Sequence, residues 1–419
     1  MWDVIIAGAG PAGLALASAL ARRGYRLLLL EQGRPPRTSA GGEFLSPDSL
    51  RTLEALGLLG TVAQADPWPV SAVHLVARNG RELRLELPGA AWGVSRAALD
   101  RLLAAEACAA GAEVRLGAPV PAVTLSPEGF CVEVGGERLL ARVVVDACGS
   151  ARPGRSAPPG CPSPPRRASP PRRAWVGVKQ LYFGIAPGPA VELYLVPGGC
   201  VGLVGVEDGR VHCSATAALP AFRQAGGGVG RFLAWALRRN PALARRLAAG
   251  RPVGGTEITI ANVGAVVPPR PRDGVSPMGG GTVAVSLVPG DSAAAIPPFL
   301  DDGTARALRS AELLLPLLER RLSGELSAAD LAAVHAAQWA RESAGRMRPD
   351  LWLRTGLLWP AGADMLLAVG RQFPGWVRRL LPVTRTPAAP APPGPPVPPI
   401  TPLPPVPPTP VQATRRERM

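Results

Sequence analysis

The chain of 419 residues is almost without lysine: among its 46 basic residues, Lys179 is the only one. With 50 prolines, 49 glycines and abundant alanine, this skew reads as the residue usage of a GC-rich coding sequence, and the formal charge of +15 is an arginine charge. Net charge of this kind brings non-specific attraction rather than a reader of base sequence, so no nucleic-acid partner is expected. A basic surface suits an anionic cofactor equally well, or an anionic membrane face touched peripherally.

Cysteine and histidine are also scarce. Cys108, Cys131, Cys148, Cys161, Cys200 and Cys213 show neither C-x-x-C nor paired spacing, which argues against a disulfide framework or a thiolate metal site and leaves reduced thiols in a cytoplasm as the expectation. His74, His212 and His335 lie far apart. They read as structural histidines with their hydrogen bonds satisfied, and no metal is expected. There is no G-x-S-x-G elbow to hold a nucleophilic serine. No apolar run reaches the roughly 18 residues of a spanning helix; the first, VIIAGAGPAGLALASALA, is broken by glycine and has no basic leader, so a soluble or at most peripheral protein is expected.

What the sequence does contain is core. At 47% hydrophobic residues, a chain of this length has interior enough for two or three domains. Residues 2 to 7 read as a buried strand, 11 to 23 as a helix and 26 to 31 as a second strand, a βαβ unit. A loop over 33 to 42 leads to a short helix over 48 to 58. Alternating residues on both sides of Asn79-Gly80 predict a hairpin with a two-residue turn. A helix over 96 to 110 precedes short strands in AEVRL, FCVEV and RLLARVVVDACG. Residues 151 to 173 read as a solvated loop, and WVGVKQLYFGI, VELYLVP and CVGLVGVEDGRVHCSATA as an antiparallel sheet. Helix is expected over 229 to 249, strand over 255 to 267 and 282 to 288, and helix again from Thr304 to Leu322 and on to about 381. From Pro382 the proline-rich tail cannot bury apolar area and reads as extended and disordered.

The sharpest motif is GAGPAG. Gly8 permits a tight turn, Gly10 lets backbone approach a pyrophosphate, and Gly13 lets the helix pack on the strand; Pro11 and Ala12 open that helix, whose N-terminus offers unpaired N–H groups to phosphate. Glu31, at the end of the second strand, stands where a carboxylate accepts hydrogen bonds from a ribose. This much predicts a dinucleotide and does not separate FAD from NAD. GGGVG at 226 to 230 follows no strand and reads as a loop.

Gly290-Asp291, after a buried strand and before a long helix, resembles the distal flavin motif of the aromatic-hydroxylase and geranylgeranyl-reductase superfamily of FAD enzymes. GGEFLSP at 41 to 47, GVSRAALDRLL at 93 to 103, VVVDACG at 143 to 149 and IPPFLDDG at 296 to 303 resemble further segments of that family. The resemblance implies FAD as the cofactor and NAD(P)H as a transient reductant. It adds Gly42, Glu43, Arg96, Gly290, Asp291, Pro298, Asp302 and Gly303 to the cofactor-binding residues, with Asp291 on the ribityl chain and Arg96 reaching toward the FAD. Two positions depart from the pattern: Gly41 stands where reductases of the family have cysteine, and Asp301 replaces a glycine beside the ring. No W-x-W-x-I-P segment is present, which argues against a flavin halogenase.

The implied fold is α/β, with a Rossmann-like, doubly wound FAD-binding domain (1–69, 93–174 and 265–330), an inserted antiparallel β-sheet substrate domain (70–92 and 175–264), a C-terminal helical region (331–381) and the tail (382–419). The implied function is oxidation or reduction of an apolar small molecule such as a polyketide or isoprenoid lipid. A scaffold of flavoprotein descent that binds a partner without turnover is the alternative, supported by Asp301 and Gly41. No catalytic residue is nominated by the sequence.

Overall fold

A computed structural model of the chain describes residues 1–33, 43–120, 123–126, 129–148, 175–261, 275–278, 282–286 and 302–327, with isolated positions between 330 and 372. The first unit is the βαβ expected. Strand β1 (Trp2–Ala7) leads into helix α1 (Pro11–Ala21) and strand β2 (Leu27–Glu31), and every residue of α1 is buried. Ala and Leu throughout α1 make it narrow and apolar on all sides, as a helix sandwiched between sheet and helices requires. It stops two residues early, because the N–H groups of Arg23 and Gly24 turn back to the carbonyls of Leu20 and Ala21.

Strand β3 (Phe44–Leu45) follows, then α2 (Pro47–Ala55) and α3 (Leu59–Ala63). Ser46 caps α2 by accepting the N–H of Ser49. The helix expected over 48 to 58 ends three residues early, at Ala55, just before Gly57 at φ +72°, and α3 follows beyond it. Strands β4 (Trp68–Val76) and β5 (Glu82–Gly93) form the expected hairpin, but its loop has three residues rather than two. Ala77 donates to Arg81, Gly80 at φ +80° donates back to Ala77, and the Asn79 side chain accepts the Arg81 N–H, an arrangement that adds one residue to the loop.

Helix α4 (Arg96–Ala109) and strands β6 (Glu113–Leu116), β7 (Val123–Ser126), β8 (Gly129–Val134) and β9 (Glu137–Asp146) return to the first sheet. Strands β10 (Trp175–Phe183), β11 (Ala190–Val196), β12 (Gly199–Gly205) and β13 (Val211–Ala218) build the second. Helices α5 (Leu219–Gln224), α6 (Val229–Arg239) and α7 (Pro241–Leu247) come next. The one helix expected over 229 to 249 breaks at Asn240, whose side chain caps α7 through the N–H groups of Ala242 and Leu243 while Pro241 takes the first helical position. Strands β14 (Arg251–Pro252), β15 (Ile258–Ala261), β16 (Val275–Met278) and β17 (Thr282–Ser286) and helix α8 (Asp302–Leu322) complete the order.

Among the described residues there are two sheets. In the first, β17, β9, β1, β2 and β6 are parallel neighbours, with β16 antiparallel on one edge and the β7–β8–β9 meander attached. Helix α1 covers it, packed in turn against α4 and α8. Leu14, Leu16, Leu20, Leu99, Leu308, Leu314 and Leu318 are all fully buried there, each contributing about 1.5–3 kcal/mol by leaving water. The second sheet runs β14-β10-β13-β12-β11-β4-β5-β3, with β15 on β10. It is antiparallel, as expected, except at one place: β4 and β11 pair in parallel, Ala72 against Ala190. The parallel join is what carries the hairpin of residues 68 to 93 into the same sheet as residues 175 to 261.

One face of that sheet packs on α6, where Val178, Cys213, Ala215 and Ala217 meet Phe232 and Trp235. The opposite face gathers Val73, Leu75, Leu85, Leu193, Leu195 and Val204 with Phe44. Fold and site meet on this second face.

Candidate functional site

The turn from β1 to α1 is built on three glycines with different duties. Gly8 has φ +113°, and a Cβ there would lie 2.5 Å from the carbonyl oxygen of Ala147. A Cβ on Gly13 would collide with the carbonyl oxygen of Gly8. At Gly10 a Cβ would meet nothing within 4 Å, so its glycine is not required by the protein's own packing. Gly10 is also the N-cap of α1, has no side chain to bond the first N–H groups, and no acidic residue sits in the first turn. That leaves an open helix N-terminus with donors and partial positive charge.

Glu31 is buried, and its two carboxylate oxygens accept the N–H groups of Ala9 and Gly33, each at 2.8 Å. The carboxylate expected to meet a ribose thus also ties the glycine turn to the end of β2. At the start of α8, Asp302 and Gly303 precede Thr304, whose hydroxyl is buried without a hydrogen-bond partner among the described residues. A buried hydroxyl left alone costs about 1–3 kcal/mol. Gly42, Gly290, Asp291, Pro298 and Asp301 lie outside the described residues.

Two of the expected cofactor residues have different neighbours. Arg96 opens α4 and pairs with Asp100 one turn on, at 3.2 Å. Glu43 lies beneath the second sheet, where Lys179 Nζ from β10 is 3.3 Å from both of its oxygens and His212 Nδ1 from β13 is 3.1 Å from Oε2. All three are nearly sealed from water, with exposures of 8% for Glu43, 4% for Lys179 and 7% for His212. Burial pushes the Glu43 carboxyl above its usual range, opposed by the Lys179 ammonium and by Arg96. Burial, and then Lys179, hold the His212 imidazole well below 6.5, so it is neutral at pH 7. Nearby, buried Glu207 accepts the N–H of Ser95 at the cap of α4.

Sequence reasoning passed over Lys179 and His212. The available signal was compositional: the one lysine of an arginine-rich chain stands inside an apolar strand. The reading of all three histidines as satisfied is corrected at His335, which is 1% exposed with neither ring nitrogen partnered among the described residues.

Residues 1–138 match the family described as FAD binding domain. The N-terminal third of the chain is thus similar to FAD-binding domains. Among curated relatives, a rifampicin monooxygenase of Streptomyces venezuelae is 31% identical over 162 residues, covering 36% of this chain and 32% of that protein. A digeranylgeranylglycerophospholipid reductase of Methanopyrus kandleri is 34% identical over 170 residues, 37% of this chain and 40% of its own. A squalene monooxygenase of Candida glabrata is 33% identical over 87 residues, 21% and 18%. The chain thus spans well under half the length of each of these relatives. In solved structures the likeness extends further: a probable FAD-dependent monooxygenase from Pseudomonas aeruginosa superposes with a TM-score of 0.69 at 20% identity, over 88% of this chain and 99% of that one. A geranylgeranyl bacteriochlorophyll reductase-like protein from Thermoplasma acidophilum gives 0.60 at 17%, over 87% of each. At these identities the likeness is one of fold, and it extends well beyond the FAD-binding domain to a Rossmann-like unit with an antiparallel sheet.

The residues present fit the cofactor. The open space at Gly10 beside an uncapped helix N-terminus admits a diphosphate, and the unspent Thr304 hydroxyl stands at a second helix start packed on α1.

Proposed function

We propose that the chain is an FAD-dependent oxidoreductase, a monooxygenase or a reductase, that acts on an apolar small molecule and draws its electrons from NAD(P)H. The observation that carries this reading is the β1–α1 turn of the FAD-binding domain, in which Gly8 and Gly13 are fixed by packing and Gly10 is left open toward the helix N-terminus. Names of the relatives, monooxygenases and a reductase, agree in being those of redox enzymes and differ in reaction and substrate.

Bound FAD supplies the hydride and electron chemistry. The chain's own part is placement. Gly8, Gly10, Pro11, Ala12 and Gly13 hold the diphosphate against α1, and Glu31 fixes the turn and accepts from the ribose. By the resemblance, Asp291 would hold the ribityl chain, and the start of α8, with Asp302 and Gly303, would serve the flavin end. Gly42, Arg96, Gly290 and Pro298 complete the cofactor residues, while Glu43 is turned to the sheet. The apolar face with Leu193, Leu195 and Val204 takes the substrate body and keeps water from it.

The test is the visible spectrum of freshly purified protein, with the chromophore identified after heat release, followed by NAD(P)H oxidation in the reconstituted protein. Flavin bands, released FAD and turnover of NAD(P)H support the proposal. A protein that stays colourless in excess FAD overturns it and leaves the non-catalytic scaffold in its place.

A further inference from the structure

The sheet face that carries Lys179 and His212 has more chemistry than an apolar cover needs. Pairing of β10 with β13 sets Lys179 opposite Ser214 and Gly177 opposite Thr216, and pairing of β12 with β13 sets Gly202 opposite Ser214. Because side chains alternate along a strand, His212, Ser214 and Thr216 lie on one face of β13, the same face as Lys179. Val211, Cys213, Ala215 and Ala217 occupy the other and pack on α6. The three polar groups form a row about 13 Å long from His212 to Thr216, at about 3.3 Å per residue. Gly177 and Gly202, without side chains, keep the floor level beside Thr216 and Ser214.

Two of these groups are unspent. The Thr216 hydroxyl, in a residue 3% exposed, has no hydrogen-bond partner among the described residues. His212 lies with Nδ1 3.1 Å from Glu43 Oε2, and its other ring nitrogen, Nε2, has no hydrogen-bond partner among the described residues, so with Nδ1 protonated Nε2 is free to accept. The row also carries no net charge to offer. Lys179 is matched by Glu43 at 3.3 Å, and the other charged groups nearby are engaged, Arg96 with Asp100 and Glu207 with the Ser95 N–H.

We propose that this face is the substrate-orienting site and that it takes a flat, neutral molecule carrying hydroxyl and keto oxygens along one edge, laid along β13 between His212 and Thr216. The proposal rests on the oxidoreductase reading for the role of the face, and it names the substrate class within it. Hydroxyls donate to His212 Nε2; keto oxygens accept from Thr216 and Ser214. A carboxylate or phosphate is refused, because it would be buried without a free positive charge.

The test uses the full chain loaded with FAD and two probes sharing one ring system, neutral 1,8-dihydroxyanthraquinone and 4,5-dihydroxyanthraquinone-2-carboxylate, titrated at pH 7 by calorimetry. The neutral probe is expected to bind at least about tenfold tighter. Glu43→Gln leaves Lys179 without its counter-charge and should improve carboxylate binding at least about tenfold, closing or reversing the preference. Thr216→Val should weaken the neutral probe at least about fivefold while raising the melting temperature, since an unpartnered hydroxyl is replaced by a methyl. Equal or tighter carboxylate binding by the wild type, an unchanged preference in Glu43→Gln, or no binding of either probe overturns the proposal. Flavin occupancy, read from the spectrum of the same samples, tells these failures from failure of the oxidoreductase reading: a colourless protein sinks the latter whatever the probes do.

Discussion

Lys179 Nζ stands 3.3 Å from each carboxylate oxygen of Glu43, and both side chains are almost wholly buried. The chain's only lysine thus neutralises a carboxylate carried by the segment before β3, across from the strand that holds it. Desolvation of both charges makes the pair costly to break and easy to replace.

Lys179→Met leaves the buried Glu43 carboxylate without its ammonium, with only the neutral His212 against it, and is expected to lower stability by about 3–5 kcal/mol in chemical denaturation. Adding Glu43→Gln should restore most of the loss. Two single losses that simply add in the double variant would show that the pair is not coupled.

Gly10 and Gly13 give opposite expectations. Gly13→Ala forces a Cβ onto the Gly8 carbonyl oxygen, so it should lower the melting temperature of cofactor-free protein by several degrees. Gly10→Ala meets no protein atom within 4 Å and should leave that temperature unchanged while weakening FAD at least about tenfold, roughly 1.4 kcal/mol. FAD bound equally well by Gly10→Ala would place the diphosphate elsewhere.

Glu31 holds the Ala9 and Gly33 N–H groups with two oxygens. Glu31→Gln keeps one acceptor and turns the other into a donor facing an N–H, at a cost of about 1–3 kcal/mol. Thermal melts with and without FAD should both fall, the FAD-loaded protein by more.

Acid should destabilise the fold through its buried imidazoles. Burial lowers His335 to about 4, so in the folded state it stays neutral where the unfolded chain, near 6.5, takes up a proton. Its contribution is whole above 6.5 and is lost as pH falls from 6.5 toward 4, about 3 kcal/mol over that window; His212 acts in the same direction. Melting temperatures at pH 7.5 and 5 measure the slope, and His335→Leu should flatten it while raising stability at pH 7.5. An unchanged slope in that variant would assign the acid sensitivity to other groups.

Much of this protein was legible locally. The βαβ unit and its glycines could be read because each depends on residues within about thirty positions of one another, and helix α8 because Leu308, Ala311, Leu314, Leu315 and Leu318 repeat at helical spacing and are all buried. Boundaries were misread where a single residue decides them: the break at Asn240-Pro241, the early end of α2 before Gly57, the third loop residue at Gly80.

By itself, then, the sequence determined a nucleotide-binding turn, because its glycines answer to backbone contacts made within one short unit. Only the tertiary structure decided what surrounds the sheet face. Lys179 and Glu43 are 136 positions apart, and no periodicity relates a β10 lysine, a β13 histidine and a residue before β3. Nor does sequence show that β4 joins β11 in parallel, or that the hydroxyl of Thr216 and the ring of His335 go without partners among the described residues. Those facts depend on which groups meet once the chain has closed on its core, and a buried polar group takes its charge and its cost from such neighbours.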